Sequence, residues 1–274
     1  MEESKIRNFV RDRYAGIARQ GGSCCGPGAT CSSGIAEKAA WKNGYSEQDI
    51  KSVPPGANLG LGCGNPVALA SLMEGETVLD LGAGAGFDCF LAARKVGSAG
   101  RVIGVDMTPE MIEKARGNAR NGGYGNVEFR LGEIEHLPAA DSEVDAIISN
   151  CVINLSTAKE SVFAEAYRVL KPGGRVMISD LVLLRELPEA VAGSLAAYAG
   201  CIAGAVRKDD YIHLVEKAGF RDVRVVEESR FDVAANTTDA YARGIAESFN
   251  VPMEAVREAA GTILSVRVFG VKPA

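Results

Sequence analysis

The sequence predicts an α/β fold, a mostly parallel sheet with helices on both faces, and three observations carry that expectation. Strand-like and helical runs alternate along most of the chain, glycine-rich turns separate them, and the composition is that of a protein with a full core. The 274 residues are 47% hydrophobic and 24% charged and include 32 glycines, which excludes disordered and fibrous classes. Strand-like runs fall at 76–82, 101–107, 126–132, 143–150, 175–184, 222–229 and 264–272, and helical runs at 87–95, 110–121, 159–170 and 209–218. Parallel strands need long crossovers, so this alternation clothes a sheet with helices.

Taken in order, Ile6, Val10, Tyr14 and Ile17 recur at helical spacing and predict an amphipathic first helix. Residues 21–34, GGSCCGPGATCSSG, hold too much Gly, Pro and Ser for regular structure and read as an irregular arm bearing Cys24, Cys25 and Cys31. Trp41 and Tyr45 are expected to anchor this N-terminal part. Ser46 with Asp49 three residues on has the pattern of a helix start, which Pro54, Pro55 and Gly56 stop. NLGLGCGNP, residues 58–66, must turn sharply around Cys63. KPGG at 171–174 and AGF at 218–220 are helix stops before strands. Residues 186–212 form a helical excursion, with LAAYAGCIAGAV at 195–206 read as buried helix, and 232–262 form a second. The expected organisation is therefore an N-terminal helix and arm, 1–44, followed by one domain, 45–274, whose C-terminal segment is 232–274.

Charge and cysteine usage narrow the function. Lys and Arg number 30 against 35 Asp and Glu, a net charge of -5, so the summed field repels phosphate backbones and no nucleic-acid partner is expected. The start, MEESKIRNFVRDRY, has no apolar leader segment. No run approaches the roughly 20 apolar residues a membrane helix needs. A cytoplasmic monomer without a membrane partner is the expectation. The seven cysteines, at 24, 25, 31, 63, 89, 151 and 201, are odd in number and too dispersed for a disulfide scaffold. Where thiols stay reduced, such cysteines bind soft ions or do chemistry. Cys89, on the first crossover helix, reads as packing, and His136 and His213 as surface or cap residues.

VLDLGAGAGFDCF puts Asp80 at the end of the first strand and Gly82, Gly84 and Gly86 in the turn beyond it. Glycine there lets backbone approach a ligand at a helix N-terminus. The GxGxG spacing after an acid, rather than GxGxxG, favours a ligand without a pyrophosphate. Asp106 ends the second strand, where a carboxylate can accept both ribose hydroxyls, and LGEIEHLP ends the third. With these motifs the chain resembles the class I S-adenosylmethionine-dependent methyltransferases. That resemblance implies a Rossmann-like seven-stranded sheet with an antiparallel last strand. It also implies a cofactor laid across the first two strands: Gly82, Gly84 and Gly86 at its methionine part, Asp106 and Met107 at ribose and adenine, Gly132, Glu133 and Ile134 near adenine, and Asn150 near the sulfonium.

Cys151 follows the fourth strand, Cys201 sits in the excursion leaving the same edge, and Cys63 lies just ahead of the first strand, so the three can converge above the transferable methyl. Three thiols with no histidine at ligand spacing make a soft site; structural zinc would want a fourth ligand. ANLGLGCGNP, GVDMTPEMIEKAR, ISNCVINLS, RVLKPGGR and AYAGCIAGA, with the motifs above, resemble the arsenite S-adenosylmethionine methyltransferases over residues 45–220. The resemblance implies that Cys63, Cys151 and Cys201 bind trivalent arsenic. It also implies that an N-terminal cysteine, one of Cys24, Cys25 and Cys31, takes part in thiol exchange or product redox chemistry. A small thiol such as glutathione, or a thioredoxin-like protein, would act as reductant, and methylated arsenicals would serve detoxification. The rival readings are a carbon- or oxygen-directed methyltransferase of the same fold, and a non-enzymatic protein that sequesters soft metal.

Overall fold

The computed structural model describes residues 2–20, 33–230 and 246–274. Seven strands form one sheet: β1 Thr77–Leu81, β2 Arg101–Asp106, β3 Val127–Leu131, β4 Val144–Asn150, β5 Leu170–Leu183, β6 Arg221–Arg230 and β7 Ile263–Val271. Their spatial order is β3-β2-β1-β4-β5-β7-β6. The pairs from β3 through β5 are parallel, whereas β7 runs antiparallel to both its neighbours. Order reverses beside β1, and this is the switch point where open α/β sheets bind ligands. β5 begins at Leu170 rather than 175: Leu170 pairs with Val144 and Arg175 with Ala146, KPGG bulges out of that ladder between them, and Gly173 and Gly174 share backbone hydrogen bonds with Lys272.

Period-two burial sorts the strand residues onto two cores. Leu79, Leu81, Ile103 and Val105 point to the face covered by α7 (Lys159–Val169) and α10 (Lys208–Lys217), where Phe163 and Tyr211 meet edge to face. Val78 and Val102 point to the other, where Phe90 of α5 (Phe87–Val96) and Ala115 of α6 (Pro109–Gly122) pack. The apolar stripe of the first helix, α1 (Glu3–Gln20), buries Ile6, Val10 and Ile17.

Local chemistry explains the shorter elements. Ser46 caps α3 (Glu47–Lys51) and exchanges hydrogen bonds with Asp49 as a capping box. α2 (Ser33–Lys42) extends into what the Gly and Ser content marks as arm. α4 (Pro66–Leu69) starts on proline with Asn65 as cap. The 186–212 excursion is not one long helix: α8 (Glu189–Ala192) and α9 (Leu195–Ala199) are short, and the chain leaves α9 at Gly200. α11 (Met253–Ala260) precedes β7. No described helix is long and apolar enough to cross a membrane.

The segment that leads into β1 is fastened by Arg175 of β5. Its guanidinium donates to Ala70 O (2.7 Å), Ser71 O (2.8 Å) and both carboxylate oxygens of Glu76 (2.7 and 2.8 Å). Burial alone would raise Glu76, but Arg175 and the Met73 N–H overcome it and hold the carboxyl below its usual range. A depressed carboxyl contributes stability above its unfolded value that is lost as pH falls through the folded one. Arg175→Met should therefore lower stability by about 2–3 kcal/mol at neutral pH. Denaturant titrations should show the difference from the unaltered chain shrinking in acid.

Candidate active site

Asp80, Gly82 and Gly84 line a cleft at the carboxyl edge of the sheet from the β1 side, Asp106 and Met107 from β2, Gly132 and Ile134 from beyond β3, and Asn150 and Cys151 from β4. Gly84 has a φ of +53°, and a Cβ there would meet nothing within 4 Å. Conformation rather than crowding thus calls for glycine, and its backbone is left bare to the cleft. Gly86 instead caps α5, where a Cβ would strike the rings of Phe129 and Phe90 at 2.8 Å. Asp106 accepts the Gly84 N–H at 2.9 Å and the Thr108 N–H at 2.8 Å, one on each oxygen. Each oxygen keeps acceptor capacity for a ligand hydroxyl. Glu133 faces α1, ion-paired with Arg7 (3.4 Å) and Arg11 (3.3 Å).

Two further buried acids stand in the cleft wall. Burial, then the charge of Asp88, pushes the Asp80 carboxyl well up, while Cys89 donates its S–H to Asp80 at 3.1 Å. Burial lifts Asp88 to about 6 against hydrogen bonds from Tyr45 and Asn150. A pair of acids under mutual repulsion is matched by a cationic ligand.

The Asn150 amide joins this wall to the Cys63 loop. Its NH2 lies 2.8 Å from Gly64 O, 2.9 Å from Tyr45 Oη and 3.0 Å from Asp88 Oδ2, and its oxygen accepts the Cys63 N–H at 3.0 Å. Two hydrogens are thus shared among three acceptors. The glycines flanking Cys63 follow from this crowding. A Cβ on Gly62 would sit 2.6 Å from Asn150 Nδ2, and one on Gly64 1.9 Å from Ser179 Oγ. Tyr45 is buried, packs the N-terminal segment against Phe87 and donates to Asp88 at 2.6 Å, so the expected anchor also belongs to the site. Trp41, expected to share that anchoring, is 49% exposed.

Cys63, Cys151 and Cys201 come together in one buried cluster. The Cys151 N–H extends the β4–β5 ladder by donating to Ser179 O at 2.8 Å, after which a φ of +59° turns the chain. The Cys63 thiol approaches the same Ser179 O at 3.6 Å, and Ser265 Oγ of β7 holds the Cys63 carbonyl at 2.9 Å. Cys201 lies beyond α9 with a φ of +62°, its thiol donating to Cys151 O at 2.8 Å. Left-handed backbone at two non-glycine residues costs on the order of 1–3 kcal/mol each and gathers at functional sites. Burial pushes the Cys63 thiol up, and hydrogen bonds to Cys201 and Cys63, with burial, push Cys151 well up. Cys63, Cys89, Cys151 and Cys201 are all free thiols. Cys24, Cys25 and Cys31 lie outside the described residues.

A family model described as a methyltransferase domain matches residues 72–219, and with the strand order and the cleft it makes this chain a Rossmann-like methyltransferase. An arsenite methyltransferase of Halobacterium salinarum is 52% identical over 82% of this chain and 59% of its own length. One from Aquipseudomonas alcaligenes is 43% identical over 63% of this chain and 51% of its own. The crystal structure of an arsenic(III) S-adenosylmethionine methyltransferase from Chlamydomonas reinhardtii superimposes with a TM-score of 0.64 at 36% identity, covering 87% of this chain and 74% of that one. The chain belongs to the arsenite methyltransferase family. It spans 59% and 51% of the two curated relatives' lengths.

Asp88 and Tyr45 are site residues that sequence reasoning misses, and it also misses that Asp180 is buried beside the thiols of Cys63 and Cys151. Asp180 is a charged residue inside the apolar run RVMISDLVLL, and that interruption is the available signal, since carboxylates are seldom fully buried without partners. The two wall acids set a pH dependence. A carboxyl lifted from 3.8 to about 6 favours the folded state when protonated, so this contribution to stability is present below the unfolded value and lost as pH rises through about 6. Cation binding runs the other way. Affinity for S-adenosylmethionine should fall as pH drops through about 6, and Asp88→Asn should flatten that step. Calorimetric titrations at about pH 5 and about pH 8 would show it.

Proposed function

We propose that this chain transfers methyl groups from S-adenosylmethionine to trivalent arsenic held by Cys63, Cys151 and Cys201. The observation that carries the reading is the convergence of three buried free thiols, from three distant segments, beside a cleft that presents Asp106 and the bare Gly84 backbone. Arsenite in water is As(OH)3. Each exchange forms one As–S bond and breaks one As–O bond, and the thiol proton leaves with the hydroxide as water. Each sulfur binds as thiolate, and because its proton passes to the departing hydroxide no net proton is lost to solvent.

Three sulfurs make arsenic pyramidal, with its lone pair directed away from them and able to attack a methyl in line. S-adenosylmethionine supplies an activated methyl on a sulfonium. The chain's own residues bind and orient. Asp106 holds the ribose hydroxyls, Met107, Gly132 and Ile134 flank adenine, the Gly82–Gly84 backbone meets the methionine part, and Asp80 with Asp88 faces its positive charge. Proximity and alignment of this kind are worth roughly 7–11 kcal/mol, and no general base is needed. A glutathione-like thiol or a thioredoxin-like protein would deliver arsenic and reset oxidised cysteines. Cys24, Cys25 or Cys31 would serve that exchange. Methylated arsenicals would be the detoxified products.

The test is an assay of purified chain with arsenite, S-adenosylmethionine and a thiol, the arsenic species being separated by mass spectrometry. Cys151→Ser and Cys201→Ser should each abolish methylation of arsenite while cofactor affinity stays within about twofold, since neither thiol supplies a cofactor hydrogen bond. Methylation of arsenite retained in both variants would remove the three-thiol model, absence of any methylated arsenic would count for a carbon- or oxygen-directed enzyme, and arsenite binding without cofactor consumption for a sequestering protein. Asp106→Ala should weaken cofactor binding about 100-fold or more through two lost charged hydrogen bonds, leaving arsenite binding intact. Monomethyl arsenite brings a carbon ligand and needs one thiolate fewer. Cys63→Ser should accordingly methylate monomethyl arsenite but not arsenite.

A further inference from the structure

In the arsenic site proposed above Asp180 has no part, yet it stands at the thiols. One sulfur each from Cys63 and Cys151 and one oxygen of Asp180 all lie within 4.8 Å of one another. Asp180 is fully buried. It accepts hydrogen bonds from Asn154 Nδ2 (2.9 Å), its neighbour's Leu181 N–H (2.9 Å) and Tyr211 Oη (3.1 Å). Such outer partners orient a carboxylate as they do around bound metals. Separations up to 4.8 Å are longer than the roughly 3.3–4 Å between donors that bind zinc at about 2.0–2.3 Å, so with Asp180 held by its partners the two thiols would have to turn toward it.

We propose that this pocket has a second coordination mode, a site for thiophilic divalent cations such as Zn2+ and Cd2+ built from Cys63, Cys151 and Asp180, which excludes arsenic while it is filled. Two ligands are shared with the arsenic reading above, and the third differs. Trivalent arsenic is pyramidal and neutralised by three thiolates, so it takes Cys201 and leaves the carboxylate aside. Zinc and cadmium favour tetrahedral shells and accept carboxylate oxygen beside thiolate sulfur. Charge points the same way: two thiolates and a carboxylate carry three negative charges against two on the cation. The half-buried Lys159, whose charge acts on Asp180 and Cys201, supplies the third positive charge. Binding replaces three waters of the hydrated cation by two metal–sulfur bonds and one metal–oxygen bond, and releases to solvent two thiol protons together with the Asp180 proton where burial has kept that carboxyl protonated. The Cys201 thiol meanwhile keeps its hydrogen bond to Cys151 O.

The experiment titrates the purified full chain with cadmium alone, read by thiolate-to-cadmium charge-transfer absorption, and separately with arsenite. Asp180→Asn should weaken cadmium binding on the order of 10–100-fold and leave arsenite affinity within a few-fold. Cys201→Ser should do the reverse, and Cys63→Ser should lose both. Cadmium binding unchanged in Asp180→Asn, or lost as fully in Cys201→Ser as in Cys63→Ser, overturns the proposal. X-ray absorption on the cadmium-loaded unaltered chain tests it without any variant: a mixed sulfur and oxygen shell is expected, and an all-sulfur shell overturns it. If arsenite is never methylated but cadmium follows this pattern, the arsenic reading falls and the cation site stands.

Discussion

At the carboxyl end of β4 the amide of Asn150 ties together segments that are distant in sequence. It accepts from the Cys63 backbone and donates among Gly64 O, Tyr45 and Asp88. A half-buried amide with every polar atom engaged restricts the arrangement of its partners, because each one displaced leaves a polar group short of a partner. The glycines around Cys63 exist to let that loop approach Asn150 and Ser179. Through this amide the position of one thiol is coupled to the acidic wall of the cleft.

The remaining geometry follows from the parallel sheet. Strands β1, β2, β4 and β5 all end at one edge, so Asp80, Asp106, Asn150 with Cys151, and Asp180 are delivered to the same rim. β7 runs the other way and brings Ser265 to the Cys63 carbonyl. The two left-handed cysteines then turn their segments at the points where thiols must face each other. Packing elsewhere must offset that strain, as the apolar cluster of Leu181, Ala197 and Ile263 around the thiols does. Helix α1 spans both halves of the site, with Arg7 and Arg11 on Glu133 and Tyr14 donating to Ala199 O at 3.4 Å, just ahead of Cys201.

Much of this arrangement is legible in the amino-acid sequence, for physical reasons. Alternating periods of strand and helix admit few sheet topologies, and a strand–glycine–helix turn followed by an acid on the next strand marks the ligand edge. Cys151 directly follows a strand, an element that local pattern reports well. Cys201 reads as helical, but the chain turns at Gly200, because Ala and Gly content describes burial and not conformation. Trp41 and Tyr45 look alike in sequence, since only the long-range contact with Asp88 separates an exposed ring from a buried one. Asp180 shows only as a polar break in an apolar run. Its partners Asn154 and Tyr211 come from the 3-10 turn after β4 and from α10, contacts that no local pattern encodes.

The central claim, that three thiols act together on arsenic, is tested most directly by arsenic X-ray absorption on the arsenite-loaded chain. The expected first shell is sulfur alone, with three sulfurs in the unaltered protein and one fewer in Cys201→Ser. An oxygen-dominated shell, or a sulfur count that Cys201→Ser leaves unchanged, would contradict it.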